Sequence, residues 1–406
     1  MGTSTVTLST TMKQLIFHIG FPKTGTTSIQ STLFWNPPQS PFRFVSLDST
    51  FGNQLVLAAF SSRFVQKENY FSGVMSDRQK RTMKEFSLRY LQKCFQDCAS
   101  QGITPIVSAE TASGLPIEDL TRFREFAEQF GFKVRVIGYF RPLLDLAESA
   151  YQQFVKIGHT NHMQRILNSA LNAVAVIPHL DAVFGRENVD FYVFDRNRFP
   201  DRCVVKHFLK TIGLDSQNLS IVRENESTNL NALRFLYAWN TGQEANKFSF
   251  YNRLRRRLIM ESMKDLQGPS LRFGKSIAEQ IEKLSIAHAP VFLERLGEPI
   301  PMTSSTRHGE NVLNTESDML DFSPESLDWL ARASWSRNPS SNRNARSTNG
   351  KITEGNVTNN NIAWVKKSLN RLCLQHRLLA FPLLTLDELK LRRQRQKLLR
   401  QWMKKG

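Results

Sequence analysis

A chain of 406 residues with 40% hydrophobic residues can form one large α/β domain or two ordinary ones around a sizeable core. Its net charge is +18, but residues 362–406 hold twelve of the basic side chains against two acids, so about +10 belongs to that tail and the rest is only mildly basic. No segment approaches the roughly 20 uninterrupted apolar residues of a membrane span and the opening MGTSTVTLSTTMKQ has no apolar signal core, so a cytoplasmic location is expected; Val6 at the sixth position argues against myristoylation of Gly2.

In chain order, Leu15–Gly20 reads as a strand and Thr26–Trp35 as a helix, closed by Asn36, Pro37 and Pro38. Asp77–Ser100 shows helical spacing of Met83, Phe86, Tyr90, Leu91, Cys94, Phe95 and Cys98. Ile103–Ser108 is a short apolar strand, Pro116–Phe130 a helix and Phe132–Phe140 a third strand. Pro142–Ile157 is helical, Val189–Phe194 is a fourth strand, and Asp201–Ile212 is a helix stopped at Gly213. From about Asn229 to Leu296 the pattern is largely helical. A last helix is expected over Asp318–Ser334, with Ser323 as cap and Pro324 in its first turn. The four cysteines, Cys94, Cys98, Cys203 and Cys373, are scattered and fit a reducing compartment, with Cys94 and Cys98 as inward-facing small residues.

Strands alternating with helices predict an α/β fold: a central parallel sheet flanked by helices on both faces, followed by a helical C-terminal extension. Three segments are expected: a catalytic body over 13–336, a Ser/Asn/Arg-rich linker over 337–361, and a basic helical tail over 362–406. In such a sheet ligands bind beyond the carboxyl ends of the strands. The positions that follow the strands are the Gly20–Ser28 loop, Glu110, Arg141 and Asp195.

The loop HIGFPKTGTTS presents Gly25, then Thr26, Thr27 and Ser28 at the start of a helix. There unpaired amides and the helix dipole favour an anion. Lys23 sits within the turn, whereas a nucleotide triphosphatase loop carries its lysine directly after the second glycine. The alternative is a plain turn bearing a surface lysine.

FPKTGTTS resembles the 5'-phosphosulfate-binding loop of sulfotransferases that use 3'-phosphoadenosine 5'-phosphosulfate (PAPS). The wider HIGFPKTGTTSIQ is similar to the bacterial branch of that superfamily, many of whose members act on glycans. VIGYFRPLLDLAESAYQQ resembles the family's second signature, an arginine directly after a strand (Arg141) and a serine eight residues on (Ser149), which together hold the 3'-phosphate. Arginine supplies a forked, permanently charged phosphate ligand. The likeness extends more loosely through VDFYVFDR and RENESTNLNALRFL to about Ser336, and does not cover the linker or tail.

This resemblance implies a sulfotransferase fold of the P-loop nucleotide-kinase type and in-line sulfuryl transfer from PAPS to a hydroxyl or amine, with a carbohydrate as the favoured acceptor and no metal. Pro22, Lys23, Thr24, Gly25, Thr26, Thr27 and Ser28 would hold the 5'-phosphosulfate, with Lys23 on the leaving phosphate oxygen. Glu110 in IVSAETASG is the candidate general base; the alternative is a glutamate capping the following turn. His18, within the strand, and His159 with His162 are rival bases, with packing and a polar loop as their ordinary roles. Arg223 and Ser227, with Asn225, fall where the family has a polar cluster near the cofactor. Glu226 departs from that pattern, and Ser227 or Thr228 is equally suited to cap the helix near Asn229.

Two other functions compete: a P-loop kinase acting on a nucleoside or sugar, and a nucleic-acid-binding protein acting through its charge. The lysine's position weighs against the first, and the concentration of charge in one tail weighs against the second. For that tail, three roles are open: packing on the acidic segment 310–328, attachment to an anionic membrane surface, or binding of a polyanion.

Overall fold

Leu15, Phe17 and Ile19 point to one side of strand β1 (Lys13–Gly20), and Ile16 and His18 to the other; all five are buried. A strand apolar on both faces belongs in the middle of a parallel sheet, and β1 is central in the computed structural model. That structure describes residues 13–20, 24–38, 40–47, 52–62, 76–161, 163–164, 176–215, 219–222, 228–243, 250–286, 289–299, 312–335 and 360–375. Pro22, Lys23, His162, Arg223, Asn225 and Ser227 lie outside these residues, as do the expected linker up to 359 and the tail beyond 375.

After β1 come α1 (Thr26–Trp35), β2 (Phe42–Phe44), α2 (Gly52–Phe60), α3 (Asp77–Gln101), β3 (Thr104–Ser108), a 3-10 turn (Glu110–Gly114), α4 (Ile117–Glu128), β4 (Phe132–Phe140), α5 (Leu143–Lys156), α6 (Ile177–Phe184), β5 (Val189–Val193) and α7 (Val204–Thr211). The five strands are parallel in the order β2-β3-β1-β4-β5. β1 therefore has earlier-paired β3 on one side and β4 on the other, so the chain reverses its direction of winding there, the position at which such sheets bind ligands. Register places Ile16 opposite Ile106 and His18 opposite Ser108 on one side, and Gly20 opposite Tyr139 on the other.

Two apolar clusters cover the two faces. Leu15, Phe17 and Ile19 pack with Phe60, Leu91, Phe95, Phe123, Leu180 and Phe184 from α2, α3, α4 and α6. Ile16 packs with Ile29 and Leu33 of α1 and with Val205, Phe208 and Leu209 of α7. Cys94 and Cys98 are buried on the inner side of α3, as their spacing predicts. That helix begins with a reciprocal cap between Ser76 and Gln79 and ends at Gly102, whose φ of 70° favours glycine.

Six helices follow among the described residues: α8 (Leu230–Asn240), α9 (Phe250–Ser262), α10 (Lys275–Ser285), α11 (Ala289–Leu296), α12 (Pro324–Ala333) and α13 over 360–375. The chain divides into two compact units. The first comprises Met1–Leu143, Leu171–Asn225 and Ala287–Ser304, and holds the sheet; the second comprises Leu144–Ala170, Glu226–Ile286 and Ser305–Gly406. In the second, α8 buries every residue but Asn231. The side chain of Asn229 caps it by accepting from the Ala232 amide at 2.9 Å. The cap is therefore Asn229 and not Ser227 or Thr228, because Asn229 is the residue with extended backbone immediately before the first turn. The helix expected over Asp318–Ser334 is two pieces, a 3-10 turn Glu316–Leu320 and α12, because Ser323 caps a new helix at Pro324.

The helix α13 is part of the second unit's core. Val365, Leu369, Leu372 and Cys373 are buried. Asn370 accepts from Trp239 Nε1 at 3.2 Å and from Arg255 at 2.5 Å, and Lys366 donates to the carbonyl of Thr241 at 2.8 Å. The start of the basic tail is therefore held by packing and hydrogen bonds to α8 and α9. Replacing Leu369, fully buried, with alanine is expected to cost about 2–5 kcal/mol, read as a lower urea midpoint with unchanged sheet-unit spectroscopy.

Candidate functional site

The carboxyl end of the sheet gathers the described candidates of the first unit. Gly20 ends β1. Two residues beyond the His18–Ser108 pair, Gly20 and Glu110 stand side by side in sequence register, and Arg141 follows Tyr139, the partner of Gly20, by two. Glu110 is half-buried and opens the 3-10 turn. Ser113 in that turn donates toward both the Glu110 carbonyl (3.0 Å) and the Gly20 carbonyl (3.4 Å), which ties the turn to the root of the loop.

Gly25 forms the last bend before α1, with φ 80° and ψ 16°, the left-handed region. A Cβ there would lie 2.7 Å from Val204 Cγ1 and 3.6 Å from the ring of Phe194. Gly20 is as tightly constrained, since its Cβ would come within 2.0 Å of Thr26 Oγ1. The amides of Thr26, Thr27 and Ser28 precede the first helical hydrogen bond, from Ile29 N to Gly25 O at 3.1 Å. No side chain caps this helix and no acid occupies its first turn. By contrast α4 opens with Glu118 and Asp119. Thr24 is fully buried, and Thr26 is 3% exposed with its Oγ1 unpartnered among the described residues. A donor set of this kind suits an oxyanion.

Arg141 leaves β4 half-buried, its guanidinium 5.8 Å from the centroid of Phe194. The same ring lies against Gly25, so Phe194 is wedged between the loop and Arg141. Neither Phe194 nor Val204 stands out in the sequence. The only signal for Phe194 is its place at the end of an apolar strand. Ser149, eight residues after Arg141, is half-buried on α5 in the second unit.

Asp195, the other strand-end acid, accepts from Asn197 N at 2.9 Å and pairs with Arg198 at 3.5 Å, so it serves as the cap of a short 3-10 turn. His159 is half-buried, with its ring 5.1 Å from Phe154 and its amide bonded to the Phe154 carbonyl. His18 lies beneath the loop with no exposure, Nδ1 2.8 Å from Ser108 Oγ, and its ring 5.1 Å from Phe208. Burial pushes its pKa from 6.5 down to about 3. With no exposed surface the ring cannot contact a substrate, and burial weakens its basicity, which counts against His18 as a base.

No protein-family profile matches the chain, and no curated protein matches it. Among solved structures, a sulfotransferase from Alicyclobacillus acidocaldarius is similar at 14% identity, over 59% of this chain and 96% of that one, with a TM-score of 0.34.

Two predictions follow from the geometry. Gly25→Ala forces a Cβ into Val204 and a left-handed residue, at a strain of about 1–2 kcal/mol before any repacking; a lower melting temperature is expected. The second concerns pH. The unfolded chain protonates His18 near 6.5 while the folded chain does not until about 3. This group therefore leaves stability unchanged above pH 6.5 and lowers it as pH falls from 6.5 toward 3. Between pH 7.5 and 4.5 the loss from this group is roughly 2–3 kcal/mol. His18→Gln should flatten the fall of the urea midpoint with acid, whatever its stability at neutral pH.

Proposed function

We propose that this chain transfers a sulfuryl group from PAPS to a hydroxyl or amine, with a carbohydrate as acceptor. The observation that carries the reading is the uncapped, acid-free start of α1 behind a left-handed glycine, at the same sheet edge as Glu110 and Arg141, with Phe194 between loop and arginine. The amides of Thr26, Thr27 and Ser28, with Thr26 Oγ1, would hold the 5'-phosphosulfate, helped by Pro22 and Thr24 in shaping the turn. Arg141 and Ser149 would hold the 3'-phosphate.

The chemistry asks little covalent work of the protein. As Glu110 takes the acceptor's proton, the acceptor oxygen bonds to sulfur. The bond from sulfur to the 5'-phosphate oxygen breaks, and its electron pair stays on that oxygen. Lys23 would neutralise the charge that builds there, and the helix dipole adds to it. Arg223 and Ser227 would complete the cofactor side. The chain that leads to them is held along α1: Ser220 exchanges hydrogen bonds with Asn36 (2.9 and 3.1 Å), and Val222 N donates to Thr32 Oγ1 (3.1 Å). Two residues of chain thus advance one helical turn toward the anion-binding end of α1. The tail beyond 375 is proposed to attach the protein to an anionic surface, peripherally.

Calorimetry with adenosine 3',5'-bisphosphate and with ATP tests the reading: tight binding of the bisphosphate without Mg²⁺, and weak binding of ATP, are expected. Preference for Mg²⁺–ATP would instead identify a kinase. In turnover assays, Lys23→Ala should abolish PAPS consumption with the fold intact, and Glu110→Gln should lose turnover while binding the bisphosphate as the parent does. Unchanged turnover in either variant removes the role given to that residue.

A further inference from the structure

The face of β1 that packs against α1 and α7 is apolar except at His18, and the face of α1 that meets the sheet is apolar at Ile29 and Leu33 but carries Gln30. Both polar side chains are buried, His18 completely and Gln30 to 4% exposure, and both converge on fully buried Ser108. Gln30 Nε2 donates to the Ser108 carbonyl and toward its Oγ, each at 3.1 Å. Ser108 Oγ also hydrogen-bonds His18 Nδ1 at 2.8 Å, and Nε2 of that ring has no partner among the described residues.

An apolar trio would fill this space without the desolvation cost of three polar groups, about 1–3 kcal/mol for each left unpaired. What hydrogen bonds add is direction. Apolar contacts let a helix slide on a sheet, whereas paired donors and acceptors fix it in translation and rotation. The location matters for the same reason. Gln30 lies four residues past Thr26, one turn below the anion-facing amides. Ser108 is two residues before Glu110, and His18 two before Gly20.

We propose that Gln30, acting through Ser108 and His18, is a positioning residue that sets the height of α1 against β3, and thereby aims the Thr26–Ser28 amides at the 5'-phosphate. The inference rests on the function proposed above. Its test uses the full chain and adenosine 3',5'-bisphosphate as probe. Dissociation constants are measured by calorimetry for Gln30→Met, Ser108→Ala and the double variant, each well below its own melting temperature and with folding checked by near-ultraviolet circular dichroism.

Each single variant should weaken binding by about 10- to 100-fold, the usual effect of a misplaced binding group. The double variant should be no weaker than the worse single one, because the two share one interaction. Ser108→Thr, which keeps the hydroxyl, should bind close to the parent. Lower melting temperatures with unchanged dissociation constants would reduce the trio to core packing, and additive losses would break the link between Gln30 and Ser108; either overturns the proposal. A parent chain that binds no bisphosphate overturns this proposal together with the function, whereas normal parent binding with unaffected variants overturns this one alone.

Discussion

The passage from β1 into α1 requires the backbone to turn where no side chain fits. At Gly25 the chain bends left-handed over Val204 and against Phe194, and at Gly20 it passes so near Thr26 that a methyl group has no room. Two glycines five residues apart thus let β1 deliver α1 directly over the sheet edge. The side-chain cap that opens α3 and the first-turn acids that open α4 have no counterpart at the start of α1. That helix start is left to offer its donors and dipole outward.

In each unit the buried polar groups are either neutral or paired. His18 stays neutral because burial in a low-dielectric surrounding disfavours its cation. Asp119, 1% exposed, accepts from Ser62 and from Arg122, which pins the end of α2 to the start of α4 on the opposite face. In the second unit Glu148, 4% exposed, accepts from Arg272 at 3.0 Å and from the Phe273 amide at 2.8 Å. Buried carboxylates here are paired and hydrogen-bonded, as the cost of an isolated buried charge demands.

Much of this was legible in the chain. Apolar runs bounded by glycine and proline place β1, β3, β4 and β5, and α1 and β4 fall within the bounds read from sequence. Glu110 and Arg141 lie just past the ends of β3 and β4, and Thr26–Ser28 open α1, as read from the sequence. Less legible were β2, only three residues long and half-buried, and α2, both of which lie in a stretch with no clear period. The α8 cap moved from Ser227 or Thr228 to Asn229, because three adjacent residues in that stretch are all competent caps and only backbone conformation selects among them.

What the sequence determined alone is local: which segments alternate, where glycine must turn, and which residue types could hold an anion. These depend on steric limits and periodicity that act over a few residues. Only tertiary structure decided that Gln30, Ser108 and His18, separated by up to 90 positions, form one hydrogen-bonded trio, that Phe194 separates Arg141 from Gly25, and that the helix 360–375 is core rather than tail. Strand order and helix docking bring those residues together, and both are fixed by the sum of many weak apolar contacts across the whole chain, which no single stretch encodes.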